Sequence, residues 1–278
     1  MERLLLGDFN RLRVLRHVEF GLYLDGGRAG EILLPKRYVT SDMTVGKEID
    51  VFLYLDQEER VVATTETPKA RVGEFAFLRC SWVNQHGAFL DWGLMKDLFC
   101  PFREQKMRME KDKNYIVYVT IDEETYRIMA SAKVEHYFNR DFPAYKPGEE
   151  VDLLVWQKTD LGFKVIIDNQ YGALLYKDQI YQDIHTGDRL KGYIAQVRGD
   201  GKIDVALQPT GRQQTEQFAE VLLQYLKDHE GHCSLGDKSD ADDIKQVFHV
   251  SKKAFKRAVG DLYRRRLIQI SDHHIELV

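Results

Sequence analysis

Cysteine is scarce. The 278 residues hold three, Cys80, Cys100 and Cys233. An odd number at wide spacing excludes a disulfide framework and a cysteine zinc site, and it suits a reducing cytoplasm, which is the expected location. Long apolar runs are also missing: no stretch of about 18 apolar residues exists, so no membrane span is expected. The opening MERLLLGDFN has an apolar core of only three leucines, Leu4 to Leu6, between acidic flanks, and does not read as a signal peptide. Positive charge is not in excess either. Lys and Arg number 40 against 44 Asp and Glu, a formal net charge of −4. A chain that attracts nucleic acid through its whole field is thereby excluded, and any such site must be a local patch. Catalytic signatures are lacking: no P-loop, no G-x-S-x-G and no H-E-x-x-H. GDGK at 199–202 lies between two strand patterns and reads as a turn. The adjacent His273 and His274 stand at a hairpin tip. No enzymatic activity, cofactor, metal or small-molecule substrate is expected.

What is present is repetition, the first thing to establish in a chain this long. FGLYLDGG at 20–27 and HGAFLDWG at 86–93 share Gly, Leu, Asp and Gly at an offset of 66. GEILLP at 30–35 matches KDLFCP at 96–101, and VFLYLDQEERVVAT at 51–64 matches VYVTIDEETYRIMAS at 117–131. Asp56 maps to Asp122 at the same offset. Arg60 maps to Arg127 one residue later, so the turn between them has gained a residue. A more divergent third copy follows: LGFKVIID at 161–168, GALLY at 172–176 and GKIDVALQ at 201–208. Before it, EHYFNRDFPAYKPG at 135–148 has the Pro and Gly content of a linker.

Each copy contains five short β-branched and aromatic segments separated by Gly or Asp turns, with no helical spacing over ten residues. Five strands in roughly 65 residues is the size of an OB-type barrel. Alternation places Leu22 and Leu24 inside and Tyr23 outside; likewise Ala88 and Leu90 inside and Phe89 outside. Trp92, in the loop after the second strand of copy two, is either a stacking platform or a plug between modules.

After Pro209 the pattern becomes helical. Phe218, Val221, Leu222, Tyr225 and Leu226 predict one apolar helix face, stopped by Gly231. A short apolar piece at 233–235 follows. A second helix within 237–249 has Ser239 or Asp240 as N-cap, and a third within 250–266 has Ser251. The third carries an apolar stripe of Phe255, Ala258, Val259 and Leu262. A hairpin at 267–278 ends the chain. Helix, strand, helix, turn, helix, hairpin is the plan of a winged helix, whose second and third helices form a helix-turn-helix. From Lys245 to Arg266 eight basic residues face one acid, Asp261. Lys252, Lys253, Lys256 and Arg257 cluster on the first half of the recognition helix, and Arg264 follows at its end. This excess reads either as a phosphate-contacting face or as a solvated helix surface.

The barrel phrases resemble the S1 RNA-binding domain: a strand, then G-A/L-F/Y-L, then a hydrophobic strand ending in Pro, then a strand pair closing in R-h-x-h-S/A/T. Three such copies followed by a winged helix resemble the bacterial conserved virulence factor B family. GAFLDWGLMKDLFCP at 87–101 and GYIAQVRGDGKIDVALQ at 192–208 carry that likeness most strongly. The resemblance implies RNA binding on the barrels. S1 domains often use two aromatics on the second strand and a His at the end of the third. The first copy offers Phe20 and Tyr23, and the second His86 and Phe89. The third offers Leu161 and Lys164 and has lost both rings. Leu34, Cys100 and Leu175 stand at the position of the third-strand His, so no copy keeps it. In the third copy Lys164, Arg198 and Lys202 lie near Tyr176 and Tyr193 in the strand scheme. Those tyrosines either stack bases or pack at an interface.

The expected fold is mainly β with a C-terminal α+β module: S1-like barrels at 1–66, 67–134 and 148–209, a linker at 135–147, and a winged-helix domain at 210–278. The expected function is binding of single-stranded RNA by a regulator. Two rivals remain open: a protein adaptor on the ribosome or RNA polymerase, and a DNA-binding regulator acting through the winged helix.

Overall fold

The computed structural model describes residues 4–180, 182–209 and 212–278. Residues 1–3, and 210–211 at the expected start of the last module, lie outside that set. The chain forms two compact units, to Phe138 and from Asn139.

The first unit holds two repeats. β1 (Phe9–Val18), β2 (Gly21–Asp25), β3 (Glu31–Pro35), β4 (Glu48–Leu55) and β5 (Val61–Thr64) form a closed barrel in the order β1-β2-β3-β5-β4. The closure is a parallel contact at Leu33 and Val62. β6 (Phe75–Val83), β7 (Gly87–Asp91), β8 (Leu98–Pro101), β9 (Asn114–Ile121) and β10 (Ile128–Ser131) repeat that order. Here β8 and β10 run side by side, with no ladder between them among the described residues. The second unit opens with β11 (Glu150–Thr159), β12 (Gly162–Ile167), β13 (Tyr171–Tyr176), β14 (Arg189–Val197) and β15 (Ile203–Ala206), a barrel closed by three parallel pairs from Ala173–Ile203 to Leu175–Val205.

Two devices recur in all three barrels. The first is the glycine that opens each second strand. A Cβ on Gly21, Gly87 or Gly162 would lie 2.1, 2.3 or 2.0 Å from the carbonyl oxygen of Leu34, Cys100 or Leu175. The neighbouring strand passes too close for any side chain, so the glycine is needed for approach more than for bending. The second is a β-bulge in each first strand, between Val14 and Arg16, Cys80 and Trp82, and Val155 and Gln157. The extra residue reverses the alternation. Val14 and Cys80 point inward, and the residues two further on point out.

The first and second barrels share one apolar cluster. Phe52, Tyr54 and Val62 pack with Trp92, Leu94 and Leu98. Trp92 is buried, lies edge-on to Phe52 at 5.9 Å and donates its indole N–H to the Lys96 carbonyl at 2.7 Å. Of its two sequence readings the plug is the one realised. The segment expected as a linker divides. Val134–Tyr137 forms a 3-10 turn in the first unit, with Tyr137 stacked on Tyr118. Residues from Asn139 bind the third barrel: the Asn139 side chain donates to the Tyr171 hydroxyl, and the Tyr145 hydroxyl donates to Asp168.

The C-terminal module contains α1 (Arg212–Asp228), β16 (His232–Cys233), α2 (Ala241–Phe248), α3 (Lys252–Arg264), β17 (Ile268–Ile270) and β18 (Ile275–Leu277), with sheet order β16-β18-β17. This is the expected winged helix. α1 buries Phe218, Ala219, Leu222 and Leu226, while Val221, expected on that face, is exposed. Ala219, one position after Phe218, belongs to the buried face in place of Val221. Ser251 caps α3, accepting from the Ala254 N–H at 3.2 Å. Asp240 occupies the α2 cap position without a side-chain bond, and Ser239 accepts instead from the Gly236 N–H.

Candidate nucleic-acid interface

On the second barrel, inward Ala88 and Leu90 leave Phe89 on the outer face. Its register partner across β6 is Trp82, turned outward by the bulge. The two rings are stacked, 3.8 Å between centroids and 2° from parallel. Phe99, opposite Phe89 on β8, adds a third ring at 5.0 Å. Trp82 is 44% exposed, so the stack is presented to solvent. Aromatic faces of this kind hold bases of single strands irrespective of sequence. Neither Trp82 nor Phe99 is among the sequence candidates.

Beside this face a cleft of about 570 Å³ runs between the two barrels, with Phe89, Phe99, Met129 and Tyr54 among its walls and His86 at its rim. Its two arginines are paired with carboxylates. Arg103 pairs with Asp122, and Arg127 pairs with Glu59 of the first barrel. Lys96 donates to the Asp56 carbonyl at 2.6 Å. Burial holds the Lys96 ammonium below the usual lysine range, against the opposing pull of Glu59 and Asp56. Burial likewise pushes the Tyr54 phenol up to about 12.

The first barrel presents a different face. Phe20 is exposed and edge-on to Tyr23. The Arg16 guanidinium lies over the Tyr23 ring at 4.3 Å and is fixed by two bonds to Glu31, at 3.1 and 2.6 Å. The third-strand positions need correction. Leu34, Cys100 and Leu175 are fully buried and point into their barrels. No residue there could touch RNA. The outward neighbours at the strand ends are Pro35, Pro101 and Tyr176.

On the third barrel the tyrosine and basic candidates are largely committed to partners within the fold. Arg198 binds Asp204 through two bonds at 2.9 and 2.7 Å and the Tyr176 hydroxyl at 2.6 Å. It is a buttress, not a free phosphate ligand. Lys202 pairs with Asp200 at 2.8 Å, and Tyr193 donates to Glu150 at 3.2 Å. Lys164 lies over the Trp156 ring at 4.9 Å, so an aromatic survives beside the position where the second strand has lost its own.

The winged helix offers the opposite situation. Phe255, Ala258, Val259 and Leu262 bury one face of α3. Lys253, Lys256 and Arg257 stand exposed on the other, with Lys252 half-buried at the first turn. Lys256 pairs with Asp237 at 3.0 Å, and Arg264 with Asp261 at 3.6 Å. Lys252, Lys253 and Arg257 make no ion pair among the described residues.

S1-type barrels in tandem, an exposed aromatic stack on one of them and a winged helix with a basic recognition helix define a chain of the nucleic-acid-binding class. Comparison with known proteins narrows it. Residues 6–66 match the S1 domain, and residues 220–277 match the CvfB-like winged helix domain. The chain is 29% identical to a Bacillus subtilis protein named Uncharacterized protein YitL, over 91% of this chain and 87% of that one. It is 22% identical to Conserved virulence factor B of Staphylococcus aureus, over 100% of this chain and 95% of that one. A solved structure from Streptococcus pneumoniae, described as a multidomain protein with nucleic acid binding domains, is 22% identical, covers 98% of each chain and gives a TM-score of 0.43. Over nearly its whole length the chain is similar to these relatives, and it carries both the S1 domain and the CvfB-like winged helix domain. No helix of the described residues is long and apolar enough to cross a membrane.

Proposed function

We propose that the chain is a regulator that binds single-stranded RNA and acts after transcription, in a role of the kind the virulence factor relatives' name denotes. The observation that carries this reading is α3. Lys252, Lys253 and Arg257 lie on or beside its exposed face with no ion pair among the described residues, in a chain whose formal net charge is −4. Unpaired cations on a recognition helix contact phosphates without first losing an internal partner. The Trp82–Phe89 stack supports single strands over duplex, because paired bases hide the faces that such rings would hold. The rival reading, a protein adaptor on the ribosome or RNA polymerase, would be favoured by partners that survive nuclease treatment of the lysate.

The test is fluorescence anisotropy of the full chain with labelled single-stranded RNA, single-stranded DNA and duplex DNA over a range of salt. RNA is expected to bind tightest. Lys253→Glu combined with Arg257→Glu should weaken it more than tenfold and lower the salt slope by about 1.4, at ~0.7 for each lost single-strand phosphate contact. No RNA binding at low salt overturns the proposal. Duplex preference would favour a DNA-binding regulator working through the same helix.

A further inference from the structure

We propose that the cleft between the first and second barrels is a pocket for one unstacked nucleobase, guanine in preference, read by Glu59. This rests on the single-stranded RNA reading above and adds a composite, two-barrel specificity site to it.

Three observations combine. The cleft measures about 570 Å³, within the range that encloses a small heterocycle. Its floor is apolar and aromatic: Phe89, Phe99, Leu98, Ile128 and Met129. Its cations are already satisfied. Arg103 is held by Asp122, Arg127 by Glu59, and Lys96 by the Asp56 carbonyl. A phosphate entering here would have to displace a carboxylate from a guanidinium. An uncharged planar ring brings no competing negative charge: it can share the Glu59 carboxylate with Arg127, whose contact is to Oε1 and leaves further lone pairs on both oxygens, and it would gain stacking on Phe89 and Phe99.

Glu59 is supplied by the neighbouring barrel and held in place by its turn. Its backbone is left-handed, with φ 65°. The Asp56 carboxylate accepts the Glu58 and Arg60 N–H groups, both at 2.9 Å, and the Glu59 N–H binds the Asp56 carbonyl at 3.1 Å. The repeat explains why a partner is available. In the first barrel Arg60 folds back onto Asp56 at 2.7 Å. In the second barrel, whose equivalent turn has gained a residue, the Asp122 carboxylate pairs with Arg103 and the Arg127 side chain reaches Glu59. An ionised carboxylate only accepts hydrogen bonds. Guanine alone among the four bases presents adjacent N–H donors on its Watson–Crick edge, which two carboxylate oxygens can accept together.

The experiment uses the full chain and two probes: uridine 12-mers with one central guanosine, adenosine or cytidine, and the free nucleoside 5′-monophosphates. Anisotropy competition reads the first and tryptophan fluorescence the second. Glu59→Gln, on an exposed turn, and Phe99→Ala are the test variants. Lys253→Glu, outside the pocket, is the control. The central guanosine is expected to bind about tenfold tighter than adenosine. Glu59→Gln should erase that ratio while leaving uridine 12-mer affinity within about twofold, and Lys253→Glu should weaken all oligomers and keep the ratio. If oligomers bind with no guanosine preference, or with one that Glu59→Gln and Phe99→Ala leave intact, the pocket is overturned and the RNA reading stands. If monophosphates bind in an Glu59-dependent way while oligomers do not, the base pocket stands as a site for free nucleotide and the RNA reading fails. If neither binds, both fail.

Discussion

Arg16 over Tyr23 and Trp82 on Phe89 occupy the same two register positions of two successive barrels, 66 residues apart. The scaffolds match in strand order, in the glycine of close approach and in the bulge. The faces do not. In the first barrel the strand-one residue is a guanidinium tied to Glu31, which covers the ring beside it. In the second it is an indole that extends the ring into a platform. The outer residue after the bulge carries no burden of core packing, so it is free to vary, and it decides whether the barrel presents a stacking surface or a closed polar one. The third barrel has Gln157 there, opposite Lys164.

The largest expected effect breaks what the two barrels share. Gly87→Ala and Gly21→Ala each drive a Cβ into a backbone carbonyl that cannot move aside independently of its strand. Each should cost on the order of 3 kcal/mol or more in urea unfolding followed by circular dichroism. Near-equal losses would show that the two scaffolds are equivalent. A harmless alanine at either position would mean that the strand approach is not a constraint.

A smaller effect sharpens what they do not share. Trp82→Ala should weaken single-stranded RNA by about 1–3 kcal/mol, the worth of one stacked base. Arg16→Ala should leave RNA affinity nearly unchanged, because that guanidinium is already engaged. Isothermal titration with a uridine 12-mer checks both. Equal losses from the two substitutions would mean that the bare stack is not what distinguishes the barrels.

This contrast also shows how far the sequence could be read. The repeat, the barrel segments, the inward Leu22, Leu24, Ala88 and Leu90, and the order of elements in the winged helix all follow from period and turn chemistry. Phe89 and Tyr23 were legible as outward residues. Trp82 was not, because strict alternation from Leu78 and Cys80 would bury it; only the bulge reverses its side, and no residue pattern marks a bulge without its partner strand. Leu34, Cys100 and Leu175, which stand where the S1 resemblance would put a His, are core. The cleft was invisible for another reason. Glu59 and Arg127 lie in turns of separate barrels, and their meeting depends on how Trp92 seats one barrel on the next. Arg198 was placed near Tyr176 in the strand scheme, but its carboxylate partner, Asp204, lies across a hairpin and was not legible.

The smallest expected effect concerns the lock on Tyr23. The hydrogen bond from Arg16 is the main cause holding the Glu31 carboxyl below the ordinary glutamate range, against a weaker desolvation effect. A depressed carboxylate contributes its interaction fully above the ordinary value and loses it as pH falls through the depressed one. Neutral pH therefore keeps the guanidinium fixed, and acid should release it. Followed by NMR, the Arg16 Nε–H and Tyr23 ring signals should move together, with a midpoint below that of an unperturbed glutamate. Glu31→Gln should abolish the transition. The Trp82–Phe89 stack contains no ionisable group, so its ring signals should stay still over the same range. A midpoint at or above the ordinary glutamate value would show that Arg16 is not held by Glu31 in solution. The first barrel would then present Tyr23 as openly as the second presents Phe89, and the difference between the two faces would reduce to ring size.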